Sequence, residues 1–433
     1  MADIIRKTAS VCPVCLERLP AEIVRQGENY YIEKTCPAHG HFSAVVWRGT
    51  QPSFEDWCAG IEPGGVAPDC PNACGLCNNH LRKTCCALVE VTARCNLACP
   101  VCFASAGCGD AQEPSVSGLY RQFKALVRNG NTFVQLSGGE PTVRDDLPEI
   151  VAAAKRAGCE NIQLNSNGLR LGADPAYTKA LKDAGLSFVF MQFDGTDDAI
   201  YEKLRGRPLL DAKKAAISVC GDNLLGVTLV PTVVPGVNDG DIGNIVRFGL
   251  DNSPAVRGIH FQPVSYFGRY PAPPADSDRI TLPEVLRAVE IQTGGKIKIS
   301  DFVPSACDHP RCGFHGDFVV LPGGMLIRLT SKSGKKSTCC SDGNAHLKNR
   351  NFVSRRWKRT GPAPEARPDD DFTNLDTFLK RVRSHGFTIT AMAFQDAYTL
   401  DLERLRSCSL HVFKDGRTIP FCANYLTACG GGL

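Results

Sequence analysis

The sequence predicts an α/β protein, a parallel sheet of six strand–helix units closed or partly closed as a barrel. A small metal-binding module precedes the barrel, and a cysteine-rich region follows it. Three observations predict this. Apolar runs of strand length alternate with segments of 3.6-residue apolar spacing between residues 86 and 295. The chain has 433 residues, room for several domains, and its 43% hydrophobic and 22% charged residues are ordinary for a globular protein, which excludes wholesale disorder and fibrous repeats. Its 22 cysteines gather in groups before the alternating segment, at its start and after it.

Cysteine at this frequency means either a secreted disulfide framework or a set of metal sites. The start, Met-Ala-Asp-Ile-Ile-Arg-Lys, reaches Cys12 without the apolar core of a secretory signal, which predicts a cytoplasmic protein with reduced thiols. The most apolar stretch, Leu224 to Val237, contains Thr228, Pro231, Thr232 and Pro235 and falls short of the ~18 apolar residues of a membrane span. The net charge of +4, from 49 basic and 45 acidic side chains, gives no reason to expect a nucleic acid.

In chain order, residues 1–60 hold two knuckles, Cys12-Pro-Val-Cys15 and Cys36-Pro-Ala-His39, around the alternating segment Asn29-Tyr-Tyr-Ile-Glu. That is the layout of a zinc ribbon or rubredoxin-like module, in which a tetrahedral ion replaces a core that so few residues cannot build. Cys12, Cys15 and Cys36 are the expected ligands, with His39 as fourth and Cys58 as the alternative; one zinc or one iron suits them equally. After a Gly- and Pro-rich linker, residues 61–85 carry Cys70-Pro-Asn-Ala-Cys74-Gly-Leu-Cys77, with Cys85 eight residues on. Four thiolates can complete a 4Fe-4S cluster, a zinc knuckle being the alternative.

Residues 86–295 form the barrel. Strands are expected at Cys86–Thr92, Thr132–Leu136, Asn161–Asn165, Ser187–Phe193, Val227–Val234 and Gly258–Val264. Among the helices between them are Gly118–Arg128, Asp146–Ala157, Pro175–Ala184 and Ile242–Leu250. The chemistry of such a barrel lies at the C-terminal ends of its strands. From 296 to 433 the pattern loosens into cysteine-, glycine- and lysine-rich loops, a helix near Leu375–Arg383 and a compact tail. Cys307, Cys312, Cys408 and Cys422 are expected to share a further cluster, which would pin the tail beneath the barrel mouth.

Directly after the first strand comes Cys95-Asn-Leu-Ala-Cys99-Pro-Val-Cys102-Phe103. Three thiolates on one loop can hold three irons of a 4Fe-4S cluster and leave the fourth without a protein ligand, whereas zinc would want a fourth residue nearby. The second strand ends in Ser137-Gly138-Gly139-Glu140-Pro141, the third in Asn165-Ser-Asn167-Gly, the fourth in Gln192-Phe-Asp194-Gly, and Arg205 follows.

With this set the sequence resembles the radical S-adenosylmethionine (SAM) superfamily, whose signature triplet ends beside an aromatic residue. The resemblance implies a partial (β/α)6 TIM-like barrel, in which Cys95, Cys99 and Cys102 ligate the catalytic cluster. It implies contacts to SAM from Phe103, from Gly138, Gly139 and Glu140 of the GGEP motif, and from Asn165, Asn167, Gln192, Asp194 and Arg205. An electron from a low-potential donor such as ferredoxin or flavodoxin would cleave SAM to a 5'-deoxyadenosyl radical that abstracts hydrogen, inside a barrel that excludes water.

The knuckles, Asp69-to-Cys77 with Thr84-Cys85, Phe261-Gln-Pro-Val-Ser265 and Ile419-Pro-Phe-Cys422-Ala resemble one branch of that superfamily, the archaeal tetraether lipid synthases and their bacterial relatives. That resemblance implies joining unactivated carbons of two glycerol ether or ester lipid chains. It implies three 4Fe-4S clusters and one mononuclear iron or zinc, and a protein peripheral at the inner face of the membrane. Nine basic side chains between residues 331 and 360, with Phe352 and Trp357 interleaved, would either dock on anionic headgroups or form a solvated or disordered loop. Two other functions are weighed beside lipid coupling. One is radical SAM methylation of a pterin-like metabolite; the other is a non-catalytic multi-cluster electron carrier, which would need neither the open triplet nor the GGEP strand end.

Overall fold

The computed structural model describes residues 3–57, 67, 70–71, 76–107, 113–330, 345–359, 361 and 372–429. The first body is an antiparallel meander of β1 (Asp3–Val11), β2 (Arg18–Gln26), β3 (Asn29–Cys36) and β4 (Gly40–Arg48). Tyr30, Ile32 and Trp47 alternate inward from it, as a half-buried sheet requires. The two knuckles are the turns between β1 and β2 and between β3 and β4.

The barrel strands are β5 (Cys86–Thr92), β6 (Phe133–Gly138), β7 (Asn161–Ser166), β8 (Phe188–Gln192), β9 (Gly226–Val230) with the short β10 (Thr232–Val233), and β11 (Val256–Pro263). They match the six expected strands. All six residues of β6 are buried, the signature of a parallel strand covered on both faces. Pro231 interrupts the fifth strand because it has no N–H for the ladder.

The sheet does not stop at residue 295. β12 (Val303–Pro304), β13 (Gly313–Val320) and β14 (Leu326–Arg328) lead to β15 (Gly386–Met392), which pairs parallel with β11. At the other edge β16 (Leu410–Lys414) pairs parallel with β5, and β17 (Arg417–Pro420) closes a hairpin with it. The parallel run is therefore β16-β5-β6-β7-β8-β9-β11-β15, flanked by the antiparallel β13 and β17. The stretch read as a cluster-binding appendage supplies two barrel-edge strands.

The helix Ala345–Trp357 lies across the N-terminal ends of the strands. Its Trp357 packs on Phe188 and Phe190 at 5.5 and 4.7 Å between ring centres, and its Val353 joins the same cluster. Arg350, buried, donates to the carbonyls of Cys85, Thr84 and Gly130 and to Asn131. Arg356 pairs with Asp317 at 2.5 Å, and Arg359 donates to the Gly221 carbonyl. Arg350, Arg356 and Arg359 thus tie the helix to the barrel floor instead of forming a headgroup patch, whereas Lys348 and Arg355 of the same stretch are exposed. Lys332, Lys335 and Lys336 lie outside the described residues.

The ribbon is fastened to the rest of the molecule. Arg6 bonds Asp401 and Glu403, Arg311 reaches the same Asp401 at 2.9 Å, and Arg48 donates to Glu284 and to the Arg279 carbonyl.

Candidate active site and metal centres

A cavity of about 420 Å³ runs through the barrel, from the cysteine triplet at the C-terminal strand ends down to Cys85 and Trp357 at the floor. Cys95, Cys99, Cys102, Phe103, Gly138 and Gly139 line its upper part.

The triplet loop is held from three sides. Gly139 N–H donates to the Thr92 carbonyl and Glu140 N–H to that of Arg94, both at 2.8 Å, so the end of β6 clamps the base of the loop. A side chain on Gly138, whose φ is +121°, would meet the Thr92 carbonyl oxygen at 2.1 Å, and one on Gly139 would meet that of Arg94 at 2.1 Å. Arg269 donates from Nε and Nη2 to the Cys99 carbonyl and exchanges backbone hydrogen bonds with Cys102. Phe103 packs against Tyr425 and Phe421 at 4.9 and 5.7 Å, and Tyr425 Oη donates to Glu90 at 2.6 Å.

Burial raises the Cys95 thiol, and Glu140, Cys99 and Cys102 add to the effect. Thiols crowded in this way become thiolates together only when a cation neutralises them. Sulfur donors on a loop that opens into the cavity fit three corners of a 4Fe-4S cluster whose fourth iron faces the space beyond.

The other SAM-contact candidates divide by role. The buried Glu140 accepts from the Thr142 N–H and hydroxyl, from Ser166 Oγ and from Asn167 N–H at 2.6–3.0 Å, and so it orders the ends of β6 and β7 as well as lining the cavity. Asn167 donates to Asn96 in the triplet loop. Arg205 lines the cavity and reaches the Cys99 thiol. Burial works against its charge, but the Asp194 carboxylate and Cys99 outweigh that and raise its pKa above the ordinary value. Asp194 corrects the sequence reading. It is fully buried, does not line the cavity, and spends both oxygens on Arg205, with Gln192 and the Thr232 N–H as further donors.

Lys213 was not singled out from the sequence. It is fully buried and donates to Gln192 Oε1 at 2.7 Å and to the Asn167 carbonyl. Burial lowers its pKa to about 7 against the pull of Asp194. A signal existed: Lys213 shares the helix face of Ala216, Ile217 and Cys220.

Below the triplet, alternate inward residues of β6 and β7 form an amide cluster. Asn165 Oδ1 accepts from Gln135 Nε2 at 2.7 Å and Gln163 Nε2 at 3.0 Å, and Asn165 Nδ2 meets Ser137 Oγ at 3.4 Å. Phe190, His260 and Trp357 form an aromatic wall in the same cavity.

In the ribbon, Cys12, Cys15, Cys36 and His39 present ligand atoms within 4.8 Å of one another, the donor set of a single tetrahedral ion. His39 completes this set among the described residues, and Cys58 lies outside them. Of the second group, Cys74 also lies outside them, and Cys70 and Cys77 sit near Leu405 and Pro420. The Cys85 thiol meets Cys307 and accepts from Asn349 at 3.1 Å, contacts that lower its pKa against burial. Cys312 accepts from Arg404 at 3.1 Å, and the thiols of Cys312, Cys408 and the buried Cys422 feel one another's charge. Cys159 and Cys220 are buried among apolar residues, and burial alone pushes Cys220 up to about 12.

Comparison with known proteins decides the family. The radical SAM superfamily profile matches residues 89–249, and that of the HMPTM N-terminal zinc ribbon domain matches residues 4–48. A 7,8-dihydro-6-hydroxymethylpterin dimethyltransferase of Methanocaldococcus jannaschii is 34% identical over 96% of this chain and 92% of its own. The chain belongs to the radical SAM superfamily, in the same family as that protein. A GTP 3',8-cyclase of Acidothermus cellulolyticus is 30% identical over 41% of this radical SAM chain and 51% of its own. Among solved structures, SuiB of Streptococcus suis bound to S-adenosylmethionine has 16% identity and a TM-score of 0.40, over 50% of this chain and 48% of its own. The expectation of lipid-chain coupling is overturned by the dimethyltransferase, which matches nearly end to end. Among the described residues no helix is long and apolar enough to cross a membrane.

Proposed function

We propose that this chain is a radical SAM methyltransferase acting on a dihydropterin or a compound with the same ring. The observation that carries the reading is the 34% identity to the pterin dimethyltransferase across 96% of the chain. Two features support it. The cavity is floored by amides and walled by aromatic rings, surroundings that suit a planar heterocycle and would leave polar groups without partners around an alkyl chain. In addition, pterin and the guanine of GTP share one 2-amino-4-oxopyrimidine edge, so the relatives matched over the barrel are named for substrates of one recognition chemistry.

When bound, the triplet's cluster and SAM supply a radical able to take a hydrogen atom from carbon. The chain's own residues hold that chemistry in place. Gly138 and Gly139 fix the loop, Asp194 and Lys213 fix Arg205 and Gln192 at its edge, and Phe103, Phe421 and Tyr425 cover it against water. We also assign three 4Fe-4S clusters, one of them on the triplet, and one zinc or iron in the ribbon, with a ferredoxin- or flavodoxin-class donor supplying electrons.

The test is anaerobic turnover of the reconstituted protein with SAM, a low-potential reductant and 7,8-dihydro-6-hydroxymethylpterin, followed by mass spectrometry. A product heavier by one CH2 per methyl, absent when Cys95, Cys99 and Cys102 are replaced by Ala, supports the reading. SAM cleavage to 5'-deoxyadenosine without any change in the pterin refutes it.

A further inference from the structure

Three residues of the cavity have no part in holding the triplet loop. Gln135 lies on an inward position of β6, and Gln163 and Asn165 lie on inward positions of β7, two to four residues before the SAM-facing strand ends. Buried amides are retained only where their hydrogen bonds are met. Here they are met incompletely. Asn165 Oδ1 takes one N–H from each glutamine, which orients the three amides relative to one another. Gln163 is 2% exposed, and its Oε1 accepts no hydrogen bond among the described residues although the side chain lines the cavity. The second N–H of each glutamine is free to bond in the same direction, and Asn165 Nδ2 has only the long contact to Ser137.

We infer that Gln135, Gln163 and Asn165 form the substrate-reading element, which binds the 2-amino-4-oxopyrimidine edge of a pterin while its fused ring lies against Phe190 and Trp357. The inference rests on the methyltransferase reading and adds to it the residues and the edge they recognise. That edge carries N–H donors at its amino group and ring nitrogen, beside oxo and ring-nitrogen acceptors. The cluster offers the complement, a carbonyl acceptor at Gln163 flanked by amide donors. Phe190 and Trp357, 4.7 Å apart between ring centres, supply the apolar faces that a flat bicycle covers. A ligand without the donors would leave the Gln163 carbonyl buried and without a partner, a penalty that makes such a site selective.

The experiment measures equilibrium binding of 7,8-dihydro-6-hydroxymethylpterin, and of its analogue with the 2-amino group replaced by oxo, to the anaerobically reconstituted full chain. The wild type is expected to prefer the amino compound by about tenfold or more. Gln163→Leu and Asn165→Leu are expected to weaken pterin binding by about ten- to a hundredfold and to abolish the preference. The preference is a ratio within one preparation, so a partly unfolded variant still reports it. If both variants bind pterin and discriminate as the wild type does, this inference is overturned while the proposed function stands. If the wild type binds no pterin at all, both fall together.

Discussion

Arg205 grips Asp194 through two hydrogen bonds, Nε to Oδ2 at 2.7 Å and Nη2 to Oδ1 at 2.9 Å, and the carboxylate is sealed from the cavity that the guanidinium faces. Asp194 therefore acts by positioning. Asp194→Ala should leave a buried cation without its partner, costing about 3–5 kcal/mol of stability. It should also weaken SAM binding by about tenfold or more. Thermal unfolding and equilibrium binding of SAM check the two effects, and unchanged SAM affinity in a folded variant would show that Arg205 needs no such anchor.

Gly139→Ala is expected to dislodge the triplet loop, because the added methyl carbon would sit 2.1 Å from the Arg94 carbonyl oxygen and backbone cannot yield cheaply there. Iron analysis should show a loss of about four irons per chain, with zinc in the ribbon unchanged. A full complement of iron with normal SAM cleavage would refute the clamp.

His260 is half-buried beside Phe190 in the cavity wall, its Nδ1 paired with Thr390, and desolvation lowers its pKa to about 4. The unfolded chain takes up this proton near pH 6.5, the folded chain only near 4. The stability that the neutral ring contributes is therefore present above pH 6.5 and is lost as pH falls toward 4, by at most about 1.4 kcal/mol per pH unit. Unfolding midpoints measured between pH 7 and 5 should fall less steeply in His260→Phe than in the wild type, and equal slopes would exclude the effect.

Arg350→Met should open the barrel floor. Four acceptors, the carbonyls of Cys85, Thr84 and Gly130 and the Asn131 side chain, lose their donor together, a cost of about 3 kcal/mol or more. Amide hydrogen exchange should accelerate in the Ala345–Trp357 helix and at the start of β5. Binding to anionic vesicles should be unaffected, because this side chain is 3% exposed. Stability within about 0.5 kcal/mol of the wild type would contradict the role.

The parts of this molecule legible in its sequence are those in which neighbouring residues act together. β8 reads as a strand because both faces are covered and Phe188 to Met191 is an unbroken apolar run, and β6 because its residues are buried on both faces. The triplet and GGEP read as chemistry because each sits on one turn. The edge strands β15 and β16 escaped notice because their partners β11 and β5 lie more than a hundred residues earlier in the chain. Lys213 and Arg350 look like surface charges until the fold buries them, and Arg269 until it turns onto the triplet loop. Cys85 stands eight residues after Cys77, yet its thiol meets Cys307, a pairing that spacing cannot reveal. The sequence also carries a signal against a lipid substrate: Gln135, Gln163 and Asn165 recur at alternate positions of β6 and β7, and inward amides there argue against an alkyl tunnel.

The cover over the triplet loop comes from late in the chain. Phe421 and Tyr425 lie on Phe103, Thr427 Oγ1 accepts from the Gly268 N–H, and Cys429 N–H donates to the Pro13 carbonyl in the first knuckle. Translation makes the cysteine loop and the strands β5 to β11 long before it makes this lid. A nascent chain thus carries the triplet without its cover while some three hundred residues are still unsynthesised. Only the finished tail, docked against the ribbon and Phe103, closes over the loop.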